Sequence, residues 1–322
     1  MTTAAVVGPI LPYSLLVGQE ELRTALEIAY VNDAVGGVLA TGQRGTAKTT
    51  TIRAFTMMIV GELPVTLPIG ATDDRVLGGW QIKKLMQGTA EPEDGLLVEA
   101  SGSAARMLYI DEINLLDDYL VNIILDVVST GVLSVQREGR AQELQRVNFT
   151  LVGTMNPDEG GLRPQLLDRF GLVATVLPEE DADQRLRIVD TVLRFEAERS
   201  DPGSKFLSEA RRRDSQKRAD LEAARDRLED VKYGPDTAAA CARLAVAFRL
   251  VGHRGDLVLG RAGRALAAIE GAPYVTTQHL RRVAKLALVH RRARSDSGTL
   301  PDWTSEDDIT IDQILPPIPA EK

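Results

Sequence analysis

The residues from Gly42 to Thr50 have the composition and spacing of a loop that binds the phosphates of a nucleotide. A short apolar run enters this loop, and a helical pattern leaves it. Such a Walker A loop aims backbone N–H groups at phosphate oxygens, and it places a lysine on the β- and γ-phosphates and a hydroxyl on Mg²⁺. Lys48 and Thr49 occupy those two positions. The spacing predicts an ATP and Mg²⁺ site with the following binding residues: Gly42, Gln43, Arg44, Gly45, Thr46, Ala47, Lys48, Thr49 and Thr50.

One position departs from the pattern, because Ala47 stands where the loop has its last glycine. We expect this residue to open the helix with a negative φ, where a methyl group costs little. The alternative is a chance turn rich in Gly and Thr between a strand and a helix. The order of strand, loop and helix is the context that confirms the motif, and it favours a phosphate loop.

A second motif follows about sixty residues later, where the apolar run 106–110 ends in Asp111 and Glu112. A buried parallel strand delivers such a pair to the carboxyl edge of its sheet, as in a Walker B segment. Asp111 is predicted to hold Mg²⁺ through water, and Glu112 to orient or deprotonate the attacking water. Taken alone, the run would equally fit a strand followed by an acidic turn, and the phosphate loop decides between the two.

Two further groups are candidates for the same chemistry. The apolar run 149–155 predicts a third buried strand, and Asn156 at its end is placed to touch the γ-phosphate or the water. The segment 163–171 predicts a short helix in which Arg169 is a candidate arginine finger, often supplied by a neighbouring chain. An ordinary surface ion pair between Asp168 and Arg169 is the alternative there.

These motifs require a scaffold of alternating strands and helices. The predicted strands are buried, and the helices between them carry apolar residues at helical spacing. We therefore predict an α/β, doubly wound core over residues 1–195, with an insertion at 64–103 and a hairpin at 132–145. The insertion is predicted because glycine and proline residues are frequent in this segment and interrupt any regular periodicity.

Composition excludes several classes of function. The 322 residues carry 38 Lys and Arg against 46 Asp and Glu, a net charge of −8, so nucleic acid is not expected as a partner. The one cysteine, Cys241, and three histidines do not form a zinc pattern. No apolar run approaches the ~20 residues that span a bilayer, so no membrane insertion and a cytoplasmic location are expected.

The motifs, taken in order, resemble those of an AAA+ ATPase, and more closely those of the ATPase (I) subunit of magnesium chelatase. The resemblance extends over roughly residues 12–292. It rests on these runs: Gly42 to Thr49, Tyr109 to Asp118, Gln136 to Gly139, Met155 to Gly160 and Leu162 to Gly171.

The resemblance implies an all-α lid after the core, here at 233–294, joined by a charged helical connection at 196–232. We predict that this connection is solvated and that residues 295–322 form a mobile tail. By resemblance Arg254 is the sensor-2 arginine that reports the state of the nucleotide, with Arg261 as its rival. His253 is predicted to be a loop or cap residue.

The resemblance also implies partners. In that family the ATPase subunit forms a ring, for which we expect a hexamer with ATP between neighbouring subunits. It drives Mg²⁺ insertion into protoporphyrin IX together with a D-type AAA+ subunit and a large, porphyrin-binding H-type subunit. Two alternatives stay open: the ATPase of a chelatase for cobalt or another metal, and a remodelling chaperone of the MoxR type.

Overall fold

The computed structural model describes residues 9–81, 84, 86, 87, 89, 91–135, 143–250, 252–292 and 302–315. Its α-helices are α1 Glu20–Val31, α2 Lys48–Val60, α3 Asp73–Leu77, α4 Leu96–Gly102, α5 Asp118–Thr130, α6 Pro164–Leu167, α7 Ala182–Glu198, α8 Lys205–Arg227, α9 Thr237–Ala247, α10 Arg254–Ile269, α11 Thr277–Leu288 and α12 Ser305–Ile314. Its strands are β1 Val38–Thr41, β2 Val65–Leu67, β3 Gly78–Trp80, β4 Pro92–Asp94, β5 Met107–Ile110, β6 Val132–Val135, β7 Glu143–Arg146, β8 Thr150–Met155, β9 Leu172–Thr175, β10 Lys232–Tyr233 and β11 Tyr274–Val275.

Five strands form one sheet in the order β2-β5-β8-β1-β9, and each neighbouring pair is parallel. The carboxyl ends of all five strands therefore lie along one edge, called here the phosphate-loop edge. Their amino ends lie along the opposite edge. The three central strands are almost entirely buried, as a parallel sheet covered by helices on both faces requires.

The two faces of the sheet carry separate apolar clusters. One cluster joins α1 and α2 to the sheet through residues such as Leu26, Ile52 and Phe55. The other joins α4 and α5 to it through residues such as Leu97 and Ile124. This arrangement is the doubly wound α/β core that the sequence predicts.

Helix α5 shows how local signals set the ends of these elements. Asp117 caps its first turn, accepting the backbone N–H of Tyr119 at 2.8 Å. Gly131 ends it with a φ of 68°, a conformation that glycine adopts without strain. After this helix, β6 pairs antiparallel with β7 where the sequence predicts a hairpin, although residues 136–142 lie outside the described part.

The predicted insertion at 64–103 is only partly an insertion. Its first strand, β2, is the outer strand of the core sheet and pairs with β5. Its last helix, α4, buries Leu97 and Ala100 in the core. Only the segment between them, with the short antiparallel β3–β4 pair, stands apart from the sheet. Short strands between turn residues gave no periodic signal, which is why the sequence did not reveal β2.

The charged connection contains one long helix, α8, that packs partly against the core. Helix α8 buries Leu207 and Ala210 against the N-terminal segment, and Leu221 and Ala224 in the main core. The carboxylate of Asp214 accepts the backbone N–H groups of two residues, Tyr13 at 3.0 Å and Ser14 at 2.7 Å. Most residues of α8 are nevertheless exposed, so the prediction of a solvated connection fails only at these four apolar positions.

The lid comprises α9, α10 and α11 with the short parallel pair β10–β11, and it packs against the core. One continuous apolar cluster includes Leu26 of the core and Val258 and Val283 of the lid. Charged contacts reinforce the junction, since Lys285 pairs with Glu21 and Arg261 donates to the carbonyl oxygen of Ala34 at 2.9 Å. The lid is therefore braced against α1 and the opposite edge of the sheet.

The predicted mobile tail contains a packed helix, α12. Ile311 and Leu315 are buried, and the ring of Trp303 stacks on Phe248 of the lid with centroids 5.4 Å apart. Thr304 and Asp307 form a capping box at its first turn. The tail prediction is therefore wrong for residues 302–315, while residues 293–301 and 316–322 lie outside the described part.

Candidate active site

The phosphate loop connects the end of β1 to the start of α2 and passes close to β9. A Cβ atom on Gly42 would lie 2.1 Å from the carbonyl oxygen of Val176, so only glycine fits there. Gly45 has a φ of 79° and nothing within 4 Å of a built Cβ. The loop thus has one glycine for a close approach of two backbones and one that faces open space.

The backbone conformation of Ala47 differs from the prediction. It adopts φ 61° and ψ 18°, the left-handed conformation, whereas a negative φ was expected. For a residue with a Cβ this conformation costs roughly 1–2 kcal/mol, which explains why the motif has glycine here. No side chain caps α2 within the described part of the chain. The N–H groups of its first turn therefore suit an anion such as a phosphate.

The side chains of Thr46 and Lys48 bond the backbone of the loop itself. The ammonium of Lys48 donates to the carbonyl oxygen of Gln43 at 2.7 Å, and the hydroxyl of Thr46 donates to the same oxygen at 2.8 Å. Burial lowers the pKa of Lys48, and nearby Asp111, Glu112 and Glu159 oppose that shift. The lysine is thus a partly desolvated cation at the mouth of the loop.

The acidic pair lies at the end of β5, next to the loop. The Oδ1 atom of Asp111 accepts the hydroxyl of Thr154 at 2.6 Å and that of Tyr109 at 2.8 Å. Glu112 has φ 53° and ψ 58°, and its backbone N–H donates to the hydroxyl of Thr154 at 3.0 Å. The carboxylate of Asp111 is therefore positioned by hydroxyl groups from β5 and β8, and the hydroxyl of Thr154 also holds the backbone of Glu112.

Tyr109 links the two motifs. Its hydroxyl lies 3.0 Å from the hydroxyl of Thr49, besides donating to Asp111. The side chain is buried, and that burial raises its pKa to about 12. Sequence reasoning missed both Tyr109 and Thr154. The available signal was strand alternation, because residues two apart share a face and Tyr109 precedes Asp111 by two.

Arg44 is the most exposed charged group of the loop. Its guanidinium lies 3.5 Å from a carboxylate oxygen of Glu112 and 2.5 Å from one of Glu159. Glu159 follows the third strand and was not among the predicted residues. Asn156 is buried at the end of β8, and its side-chain oxygen accepts the N–H of Asp158 at 3.3 Å.

These groups line a cleft of about 360 Å³ at the phosphate-loop edge. Its lining consists of Arg44, Gly45, Thr46, Ala47, Lys48, Thr49, Thr50, Asp111, Glu112, Thr154, Met155 and Asn156. A second cavity of about 390 Å³ adjoins it, shares 44–47 and Thr50, and is walled by apolar side chains including Leu15, Val17 and Ile188. No lid residue in the described ranges lines either cavity.

The donor set fits Mg²⁺. Thr49 supplies a hydroxyl oxygen and Asp111 a carboxylate, which are the hard oxygen ligands that Mg²⁺ prefers. Both hydroxyl groups that bond Asp111 use its Oδ1 atom, so its Oδ2 atom is left for the ion or its water. Elsewhere in the described ranges, no group of three or more His, Cys, Asp or Glu side chains is arranged to hold a metal ion.

The two predicted arginines lie at the opposite edge. Arg169 precedes β9, and it donates to Asp126 at 2.8 Å. Arg254 opens α10 and pairs with Asp168 at 3.2 Å. Since β1 and β9 are each four residues long, the two edges are separated by roughly 13 Å of strand at ~3.3 Å per residue. The structure does not bring either arginine to the phosphate loop of its own chain.

Asp168 has a different partner from the one considered in the sequence. Besides Arg254 it pairs with Arg291, whose side chain is 1% exposed and lies 3.3 Å away. Arg291 also donates to the carbonyl oxygen of Gly171 at 3.0 Å, and burial lowers its pKa to about 10. Arg169 is thereby left to bond Asp126 rather than Asp168.

The fold and site define a P-loop ATPase of the AAA class. Residues 37–170 match the model of the AAA domain of the dynein-related subfamily, and residues 238–314 match that of the AAA lid domain. A solved structure of a putative ATPase from Cytophaga hutchinsonii has the same fold, with a TM-score of 0.64 at 18% identity over 96% of this chain and 92% of that one.

Sequence relatives narrow the class to a family. The magnesium-chelatase 38 kDa subunit of Rhodobacter capsulatus is 38% identical over 98% of this chain and 97% of its own length. The chain therefore belongs to the family of the magnesium-chelatase 38 kDa subunit. An uncharacterized protein of Mycobacterium tuberculosis is 40% identical over 88% of this chain, which corresponds to 45% of that protein. The described residues include no helix that is long and apolar enough to cross a membrane.

Proposed function

We propose that this protein is the ATP-hydrolysing motor subunit of a cytoplasmic chelatase that inserts Mg²⁺ into protoporphyrin IX. One observation carries the proposal: a nearly full-length match to a chelatase subunit coincides with a cleft that contains both the phosphate loop and the acidic pair. A chain that had kept the fold without the chemistry would have no reason to keep Lys48, Asp111 and Glu112 in one cleft.

The residues of the cleft divide the work of phosphoryl transfer to water. The N–H groups of the loop and Lys48 bind the phosphates, and Thr49 and Asp111 hold Mg²⁺. Mg²⁺, when bound, neutralises charge on the β- and γ-phosphates. Glu112 orients or deprotonates the attacking water, and Asn156, which lines the same cleft, contacts the water or a γ-phosphate oxygen. The apolar cavity beside the loop suits the nucleotide base.

We infer that the arginine groups come from a neighbouring copy. Arg169 and Arg254 lie on one side of the molecule, and the phosphate loop lies on the other. A head-to-tail contact between copies would bring the first surface of one subunit to the cleft of the next, and repetition of that contact closes a ring. We expect a hexamer with ATP at each interface.

A mixing experiment tests this arrangement. Arg169→Ala and Lys48→Ala proteins should each be inactive alone, and mixing should restore ATPase activity at interfaces that combine an intact loop with an intact arginine. The matched control mixes Lys48→Ala with Glu112→Gln, because both defects lie in the same cleft and no interface regains a complete site. If mixed rings form and the first pair shows no restoration at any ratio, Arg169 does not act between subunits.

Chelation itself needs partner subunits. The described residues hold no cluster for a substrate metal ion, and only 4% of the sequence is aromatic, which leaves little to line a macrocycle pocket. We propose a D-type AAA+ partner and a large H-type subunit that holds the porphyrin. The β3–β4 segment and the β6–β7 hairpin lie outside the central sheet and are candidate surfaces for passing a nucleotide-dependent change to these partners.

Reconstitution tests the substrate. The purified protein should hydrolyse ATP alone, and metalloporphyrin should form, by absorbance or fluorescence, only when cognate D- and H-type subunits are added. ATP consumption without magnesium porphyrin in the full mixture would overturn the magnesium assignment. Product with Co²⁺ instead would support the cobalt alternative, and no product with either metal would support a remodelling chaperone.

A further inference from the structure

The hydroxyl group of Tyr109 lies between the two side chains assigned to Mg²⁺. It donates to Asp111 Oδ1 at 2.8 Å and lies 3.0 Å from Thr49 Oγ1. Thr49 belongs to the phosphate loop and Asp111 to the acidic pair, which are sixty-two positions apart in sequence. The phenol is thus a direct bridge between the two motifs.

Counting hydrogens sets the direction of each bond. A phenol has one hydrogen, and a carboxylate can only accept, so Tyr109 gives its hydrogen to Asp111. Its oxygen must then accept the hydrogen of Thr49. The hydroxyl hydrogen of Thr49 is thereby turned away from the cleft, and its lone pairs remain for a cation.

Thr154 completes the arrangement from the neighbouring strand. Its hydroxyl donates to the same Asp111 oxygen at 2.6 Å and accepts the backbone N–H of Glu112 at 3.0 Å. Within the described residues no group donates to Asp111 Oδ2. Two hydroxyl hydrogens therefore hold one carboxylate oxygen and leave the other free, and the second hydroxyl also fixes Glu112 in its left-handed conformation.

We propose that Tyr109 is a positioning residue that presets Thr49 and Asp111 as a matched pair of Mg²⁺ ligands, with Thr154 as its counterpart on Asp111 and Glu112. The proposal rests on the ATPase function proposed above. Groups that orient metal ligands in this way typically change metal affinity by about 10–100-fold when they are removed.

Tyr109→Phe removes only the hydroxyl. We expect the Mg²⁺ concentration for half-maximal binding of a fluorescent ATP analogue to rise about 10-fold or more. Binding of the same analogue in EDTA should change less than about twofold, because the phosphate contacts of the loop remain. At saturating Mg²⁺ the ATPase rate should partly recover. A merely structural role would instead weaken binding in both conditions and lower the melting temperature.

Tyr13→Phe is the matched control. Tyr13 is also buried, and its hydroxyl also bonds a carboxylate, that of Glu27, at 3.0 Å. It lines neither cavity. This variant should bind Mg²⁺ and nucleotide as the wild type does. If both variants raise the Mg²⁺ requirement equally, the effect comes from the loss of any buried tyrosine hydroxyl and not from the position of Tyr109.

Thr154→Val and Thr154→Ser test the role of the second hydroxyl group, that of Thr154. The valine variant should raise the Mg²⁺ requirement and also lower the rate at saturating Mg²⁺, because Glu112 loses its backbone anchor, whereas serine should restore both. An unchanged Mg²⁺ requirement in Tyr109→Phe, in a wild-type background that binds and hydrolyses ATP, overturns the positioning proposal alone. A wild-type protein that neither binds nor hydrolyses ATP overturns the proposed function instead.

Discussion

The two edges of the central sheet hold their charged groups in different ways. At the phosphate-loop edge, Asp111 is held by two hydroxyl groups, and both of those groups are buried. At the opposite edge, Arg169 and Arg254 are 30% and 44% exposed and pair with carboxylates that are 65% and 39% exposed. Exposed pairs of this kind contribute about 0–1 kcal/mol. The first edge is thus preset, while the arginines of the second can change partner at little cost.

Arg291 sharpens the contrast within the opposite edge. It shares Asp168 with Arg254, but its side chain is almost fully buried and it also bonds backbone carbonyl groups of residues 170 and 171. Two arginines on one carboxylate therefore have different roles, one structural and one presented on the surface. Exposure, rather than proximity to Asp168, separates them.

The largest expected effect is at Arg169, the arginine that we propose acts between subunits. Arg169→Ala should lower the ATPase rate of the assembled protein by about 10³-fold or more, because a finger arginine stabilises the charge of the transition state. Nucleotide binding should persist. Arg254→Ala should also lower the rate, whereas Arg261→Ala, which loses only its bond to Ala34, should leave it nearly unchanged. If Arg261→Ala alone abolishes activity, the assignment of Arg254 is wrong.

The next largest effect is expected at the phosphate-loop edge. Glu112→Gln should retain ATP but slow its hydrolysis by about 10²- to 10⁴-fold, because an amide cannot take the proton of the water. Lys48→Ala should fail differently, by losing nucleotide affinity. Single-turnover hydrolysis and equilibrium binding separate the two defects. Hydrolysis at the wild-type rate by Glu112→Gln would remove this residue from the mechanism.

A third prediction compares the contributions to stability of Arg291 and Arg254, which share the carboxylate of Asp168. Arg291→Ala should lower the free energy of unfolding by about 2–4 kcal/mol, because it removes hydrogen-bond donors from the buried carbonyl groups of residues 170 and 171. Arg254→Ala should lower it by no more than about 1 kcal/mol. Urea unfolding measures both. Equal losses would contradict the division between a structural and a surface arginine.

The smallest effect is expected at Ala47. Ala47→Gly should relieve the left-handed strain, and the greater freedom of glycine in the unfolded chain should offset part of the gain. We expect the protein to become up to about 1 kcal/mol more stable, with ATP affinity kept or improved. A loss of stability beyond that range, measured by thermal unfolding, would show that the methyl group has a packing role.

The short motifs could be predicted from sequence because their geometry is local. A strand, a glycine loop and a helix place Lys48 and Thr49 without reference to the rest of the chain, and the strand before Asp111 and Glu112 does the same for them. The doubly wound core followed from the alternation of such units. Ala47 is the exception, because it was predicted to have a negative φ, whereas the glycine that the motif has at this position indicates a left-handed conformation.

What only the tertiary structure decided depends on contacts between distant segments. The apolar residues of α8 are sparsely spaced among charged residues, so the sequence does not indicate which of them are buried. Their burial depends on contacts with the N-terminal segment and α1. The helix α12 depends in the same way on the lid surface that receives Trp303. The meeting of Thr49, Tyr109, Asp111 and Thr154 follows from the parallel pairing of β1, β8 and β5. The edge at which Arg254 lies follows from the packing of the lid against the core. Residue types and spacing therefore determined the chemistry that is available, and the packing of the strands and the lid determined which of those groups can reach one another.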